Sequence, residues 1–150
     1  MNRSIGKQRG NTLNSIDTAI KFLFMRKKIK KENDVIIFDI DGTLIHDEKS
    51  CITTVVNFYK KCISLGYKVY IITARLFTSE NYIFTVDMLT KCGILNYLGI
   101  FMRPGDMQDL FAYKQSRREA LVKHGYNIIM SVGDQSFDFG PHSGVNIWVF

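Results

Sequence analysis

The chain has 150 residues, 46% apolar and 13% aromatic, with a formal charge of +6. That is enough to bury one core, and it implies no second domain. The most apolar stretch near the start, Ala19 to Met25, is interrupted by Lys21 and is too short for a secretory leader or a membrane span.

The positive charge is concentrated at the beginning. Nine basic side chains against Asp17 alone give residues 1–31 a charge of +8, which leaves −2 for the remainder. Leu13, Ile16, Ile20, Leu23 and Phe24 recur at helical spacing, predicting an amphipathic helix that ends in the basic run Arg26 to Lys31. Residues 1–33 are therefore read as a basic arm. Its apolar stripe packs on the core or on another subunit, or its basic end meets nucleic acid, an anionic membrane or the nuclear import machinery.

Val35, Ile36, Ile37 and Phe38 form a continuous apolar run, the pattern of a parallel strand buried on both faces. It stops at Asp39-Ile40-Asp41-Gly42-Thr43. In an extended chain residues two apart share a face, so Asp39 and Asp41 are expected to point the same way at the strand's carboxyl end, where open α/β sheets place their sites. Two carboxylates in different surroundings can divide nucleophilic attack from proton transfer. Ordinary turn chemistry after a strand gives the same tetrapeptide.

Ile52, Val55, Val56, Tyr59, Cys62 and Ile63 follow helical spacing, and Gly66 ends that helix. The same order of helix, glycine and strand recurs from Ser79 to Gly93 and from Tyr113 to Gly125. Strands are expected near 34–39, 68–73, 98–102, 127–132 and 145–150, a parallel sheet with helices on both faces. Thr73 ends the second strand, Lys114 opens the helix after a loop, and Gly133-Asp134 with Asp138 follows the fourth strand. A hydroxyl, an ammonium and two further carboxylates suit a phosphoryl group and a hard cation such as magnesium.

Together these pieces resemble the four motifs of the haloacid dehalogenase-like hydrolase superfamily, over about residues 34 to 150. Asp41, which dehalogenases lack, places the resemblance nearest the phosphatases. GYKVYIITAR, YKQSRREALVKHGY and IIMSVGDQSFD are similar to the acid-phosphatase-like subfamily IIIB, although Ala74 replaces its usual glycine, Gln115 its serine, and Gly42 the glutamate after the second aspartate.

The resemblance implies a three-layer Rossmannoid sandwich with five strands in the order 5-4-1-2-3. It also implies a magnesium-dependent phosphomonoesterase that forms an aspartyl-phosphate. Asp39 would be the nucleophile and Asp41 the acid and base. Mg²⁺ would be held by Asp39, Asp41, Asp134 and Asp138, and the phosphate by Thr73, Lys114, Ala74 and Gly42. Only 29 residues separate Thr43 from Thr73 and 40 separate Thr73 from Lys114, so no sizeable cap domain fits. An open site favours bulky phosphorylated substrates, proteins or nucleic-acid ends beside small molecules, or a lid from a second copy. Arg103 and His46 are candidates for substrate contact.

A receiver domain is excluded because its phosphorylated aspartate ends the third strand, which here ends Phe101-Met102-Arg103. The competing functions are a polynucleotide 3′-phosphatase and a catalytically silent binding protein of the same fold. Cys51, Cys62 and Cys92 lack zinc spacing, and their odd number argues against a disulfide framework. The protein is accordingly expected to be intracellular, cytoplasmic or nuclear, and not secreted.

Overall fold

The computed structural model describes residues 3–5, 12–47 and 49–149, with side chains from residue 15 onward. In chain order the elements are β1 (Arg3–Ile5), α1 (Thr12–Arg26), β2 (Asp34–Phe38), β3 (Ile45–His46), β4 (Ser50–Cys51), α2 (Thr53–Ser64), β5 (Lys68–Leu76), α3 (Ser79–Lys91), β6 (Gly99–Arg103), α4 (Leu110–Lys123), β7 (Asn127–Gly133) and β8 (Val145–Trp148). A parallel sheet runs β1-β8-β7-β2-β5-β6. Its last five strands are the expected ones in the expected order. The arm adds a sixth, β1, at the β8 edge.

Alternation along β2 builds the three layers. Ile36 and Phe38 join Val69, Ile71, Met130 and Val132 in the larger core, beneath Ile16, Ala19 and Leu23 of α1, Val55, Tyr59 and Cys62 of α2, and Leu89 of α3. Val35 and Ile37 face the other way, with Ile72, Ile128 and the α4 residues Tyr113 and Leu121. The apolar stripe of α1 therefore packs on the core of this same chain. Its basic end runs into the amino end of β2, the rim opposite Asp39.

Between β2 and α2 stands only a small antiparallel hairpin, β3 with β4. Cys51 at its end is bridged to Cys92, the residue capping α3, across 41 positions of sequence. This corrects the expectation of unpaired thiols. An odd count leaves one spare, and the spare is Cys62, buried in α2. Its thiol pKa is pushed well above the ordinary value by burial, so it is an inert core residue.

Candidate active site

The strand that carries Asp39 decides where that carboxylate goes. Asp39 follows Val35 and Ile37 in the alternation and emerges on the α4 side, where Lys114 enters from the start of the second turn of the helix. Lys114 Nζ donates to Asp39 Oδ1 at 2.8 Å and also to Asp138 Oδ1, and all three groups are buried. Asp109 caps α4 by accepting from the Ala112 amide at 3.0 Å, which fixes the turn from which Lys114 projects.

Asp138 is fastened from the opposite side. Its Oδ2 accepts from the backbone amides of Asp134 (3.1 Å) and Gln135 (3.0 Å) in the loop after β7. A Cβ on Gly133 would lie 2.3 Å from that oxygen, so only glycine admits the carboxylate there. Gly42 plays the matching part for Asp134. Its φ is +77° and a Cβ would lie 2.1 Å from Asp134 Oδ2. Thr43 Oγ1 joins the two sides, donating to Asp39 Oδ2 at 3.2 Å or Asp134 Oδ1 at 3.4 Å.

Carboxylate oxygens of Asp39, Asp134 and Asp138 thus lie within 4.8 Å of one another. Burial pushes Asp39 up to about 6, with Lys114 opposing and Asp134 adding to the rise. Asp138 is likewise pushed up to about 6 by burial and by the charge of Asp39. Burial pulls Lys114 down, but the two carboxylates outweigh it and hold its pKa above the ordinary lysine value. Three acidic groups against this lysine leave the cluster short of positive charge. Hard oxygen donors short of positive charge fit a divalent cation such as magnesium or calcium.

Asp41 takes a different direction from Asp39. The chain ceases to be extended at Ile40, whose carbonyl accepts from the amides of Thr43, Leu44 and Ile45, so the two-residue rule no longer applies. The Asp41 carboxylate is gripped bidentately by Arg75 of β5, Nε to Oδ2 at 2.8 Å and Nη2 to Oδ1 at 2.7 Å. Arg75 Nη1 also donates to Thr85 Oγ1 of α3 at 3.0 Å. Both aspartates nevertheless line one open cavity of about 460 Å³, with Gly42, His46, Asp47, Ala74, Asp134, Gln135 and Phe137.

Other sequence candidates fall in varied places. Thr73 is fully buried, and its Oγ1 accepts from the Arg75 amide at 3.1 Å. The Gly42 amide donates to the Ile45 carbonyl at 2.9 Å. Arg103 donates to the carbonyls of Ala74 (3.0 Å) and Met107 (2.9 Å), locking the ends of β5 and β6 together. His46 is exposed on the hairpin and pairs with Asp47 at 3.1 Å.

Sequence reasoning passed over Arg75 and Arg118. Arg75 stands two residues beyond Thr73 in a strand that runs on to Leu76. Arg118 lies four residues after Lys114, the spacing that puts both on one helix face. It is buried behind Asp138, donating to Gln115 Oε1 at 2.9 Å and to the carbonyls of Phe137 and Phe139 at 3.4 Å. It braces the acidic loop, and burial pulls its pKa down to about 10, so it stays charged near neutrality.

A sequence profile of subfamily IIIB (acid phosphatase) of the HAD superfamily matches residues 46–148, a span that begins just after Asp39 and Asp41. A stem 28 kDa glycoprotein of Glycine max is 34% identical over 92 residues, covering 57% of this chain and 35% of the relative. Acid phosphatase 1 of Solanum lycopersicum is 32% identical over 82 residues, covering 53% of this chain and 31% of the relative. The chain thus spans about a third of the length of these relatives. Among solved structures, a chain of the Pnkp1/Rnl/Hen1 complex superposes with a TM-score of 0.65 at 19% identity, over 79% of this chain and 47% of the other, a likeness of fold.

These findings overturn the expected intracellular, non-secreted location. The expectation rested on unpaired cysteines, whereas Cys51 and Cys92 are bridged. Disulfides persist in oxidising compartments. A relative is also named as a glycoprotein. Among the described residues no helix is long and apolar enough to cross a membrane.

Proposed function

Because the chain belongs to subfamily IIIB, the acid phosphatases of the HAD superfamily, we propose that it is a magnesium-dependent phosphatase that hydrolyses phosphomonoesters through an aspartyl-phosphate on Asp39. The observation that carries the reading is the convergence of Asp39, Asp134 and Asp138 within 4.8 Å, with Lys114 joining two of them. Their charge and donor type fit Mg²⁺, which Asp39, Asp134, the Asp41 backbone carbonyl and Asp138 would hold. When bound, the ion offsets the charge of the carboxylates and of the phosphoryl oxygens.

The chain's own groups then divide the work. The Asp39 carboxylate attacks phosphorus in line, and the bond to the leaving oxygen breaks as Asp41 delivers a proton to it. Water next attacks the acyl phosphate while Asp41 takes its proton, releasing phosphate and restoring both carboxyl groups. Lys114 holds Asp39 in place and supplies positive charge beside the transferring group, with Thr73 at the same rim. Arg75 holds Asp41 as the carboxylate, the form that takes the proton of the attacking water, and Asp41 acts as the acid with one of its two bonds to Arg75 released; Arg118 keeps the Asp134–Asp138 loop in position.

A silent binding protein is disfavoured by the presence of every charged group this chemistry needs. The polynucleotide 3′-phosphatase reading rests on the open site and the basic arm, but in the arm Lys27 to Lys31 precede the amino end of β2, one strand length of about 17 Å from the rim that bears Asp39. Hydrolysis of an aryl phosphate with and without Mg²⁺ tests the reading, alongside Asp39→Asn. Metal-dependent turnover that the variant loses supports it. Retained turnover in the variant rejects Asp39 as nucleophile.

A further inference from the structure

The parallel topology brings the carboxyl ends of α1, α2, α3 and α4 to the rim opposite the catalytic cavity, and each has a basic residue in its last turn: Arg26, Lys61, Lys91 and Lys123. Cations are favourable at helix carboxyl ends, so these alone mark no site. The end of α1 differs. Between Thr18 and Lys31 there are six basic residues and no acidic one. Three large apolar side chains among them face solvent: Phe24 is 58% exposed, Met25 81% and Ile29 66%. Lys21, Phe24, Met25 and Lys28 follow helical spacing on the face turned away from the buried Ala19 and Leu23. The 3₁₀ turn Lys27–Ile29 that follows buries none of its residues.

We propose that this end of α1 is a docking surface for an anionic lipid bilayer. Phe24, Met25 and Ile29 enter the boundary between head groups and acyl chains, and Lys21, Lys27, Lys28 and Lys31 meet the negatively charged head groups. Docking at this rim is independent of the chemistry at the other. Among the described residues none of those four lysines forms an ion pair. Arg26, by contrast, is bound to Asp34 at 3.4 Å, and Lys30 lies 5.8 Å from the centre of the Tyr67 ring. The nearest acids in sequence do not cancel the patch. Glu32 pairs with Lys68 at 3.7 Å, and Asp17 lies toward the opposite end of α1.

Apolar groups interleaved with uncommitted cations select a surface that is itself both apolar and anionic. Nucleic acid would engage the lysines but gain nothing from Met25 and Ile29, which have no ring to stack on a base. A bilayer uses both sets, and the lysine stems let the ammonium groups reach the head groups while the apolar side chains insert. The surface is preformed, so little freedom is lost on docking. The Tyr67 hydroxyl donates to the Leu23 carbonyl at 2.9 Å, and Asp34 holds both Arg26 and, at 3.0 Å, the Lys31 amide. With this rim on the lipid, the catalytic cavity at the other end of the strands stays open to dissolved phosphoesters.

Cosedimentation of the full chain with vesicles tests the docking surface. Equimolar phosphatidylglycerol and phosphatidylcholine should pellet the protein at low salt, and phosphatidylcholine alone should leave it in solution. Lys27→Gln with Lys28→Gln should weaken binding about 25-fold, at about fivefold for each cation near an anionic surface. Met25→Ser with Ile29→Ser should weaken it by at least about tenfold, while Ile83→Ser, at a similarly exposed position on α3, leaves it unchanged. All of these side chains are exposed, so the variants should keep the wild-type melting temperature. Absence of binding to the anionic vesicles, or equal binding to both kinds, overturns the docking surface. Binding that survives Met25→Ser with Ile29→Ser also overturns it, because the contact is then purely electrostatic. Retention of a duplex oligonucleotide, undiminished by that apolar variant and without vesicle binding, assigns the patch to nucleic acid instead.

Discussion

The two ends of β2 carry one buried aspartate each, and their surroundings differ in kind. At the amino end Asp34 accepts from the Lys31 amide (3.0 Å) and Asn127 Nδ2 (3.0 Å) and pairs with Arg26 at 3.4 Å. At the carboxyl end Asp39 shares Lys114 with Asp138 and faces Asp134 within 4.8 Å. The first carboxylate is saturated by fixed donors, while the second belongs to a group with too many acids for its cations. Burial alone therefore does not distinguish a structural aspartate from a reactive one. An unbalanced charge does.

The contrast is broken most strongly at Asp39. Asp39→Asn should lower kcat on an aryl phosphate by about a thousandfold or more, measured in steady state. The metal-free melting temperature should move by only a few degrees, because one of three repelling carboxylates is lost.

Lys114→Met removes the cation from the same cluster and should destabilise the metal-free protein by about 3 kcal/mol at pH 7 in urea titrations. The loss should shrink at pH 5, where Asp39 and Asp138, both pushed up to about 6, take up protons. At the other end, Asp34→Ala should cost about 2 kcal/mol, since the Lys31 amide and Asn127 lose their acceptor. Turnover per folded molecule should stay unchanged.

A smaller effect follows from protonation. In the folded protein Asp39 and Asp138 are pushed up to about 6, above the ordinary aspartate range. The folded state therefore holds protons that the unfolded chain has released. Their contribution to stability is complete below about pH 4 and is lost as pH rises through about 6. The raised pKa of Lys114 acts in the same direction, its stabilisation being lost as pH rises, but only in the alkaline range. The increase in melting temperature produced by a fixed excess of Mg²⁺ should consequently be larger at pH 7 than at pH 5, by a few degrees.

Much of this arrangement was legible in the sequence because it follows from local periodicity. Continuous apolar runs ending in Asp39 and Asp134 marked buried strands whose carboxyl ends carry acids. Glycines after the helices marked each return to the sheet. Strand β1 was not legible, since three residues with one apolar side chain form a strand only when the β8 edge is available to pair with them. The Cys51–Cys92 bridge escaped notice for a similar reason, because packing of α2, β5 and α3 brings the two together. The direction of Asp41 depended on where the chain stops being extended, and the turn around the Ile40 carbonyl is a tertiary outcome. Arg118 could have been found from its helical spacing to Lys114. The commitment of Arg103 to two backbone carbonyls could not, because it depends on the pairing of β6 with β5, which brings the Ala74 carbonyl to it.

The proposed chemistry stands on Asp39 as the phosphoryl acceptor. Acid quenching during steady-state turnover of an aryl phosphate, followed by peptide mass spectrometry, tests it directly. A phosphoryl adduct is expected on the peptide containing Asp39 and should disappear in Asp39→Asn. An adduct on another residue, or none in Asp41→Asn incubated with an aryl phosphate whose alcohol leaves without an acid, would contradict it.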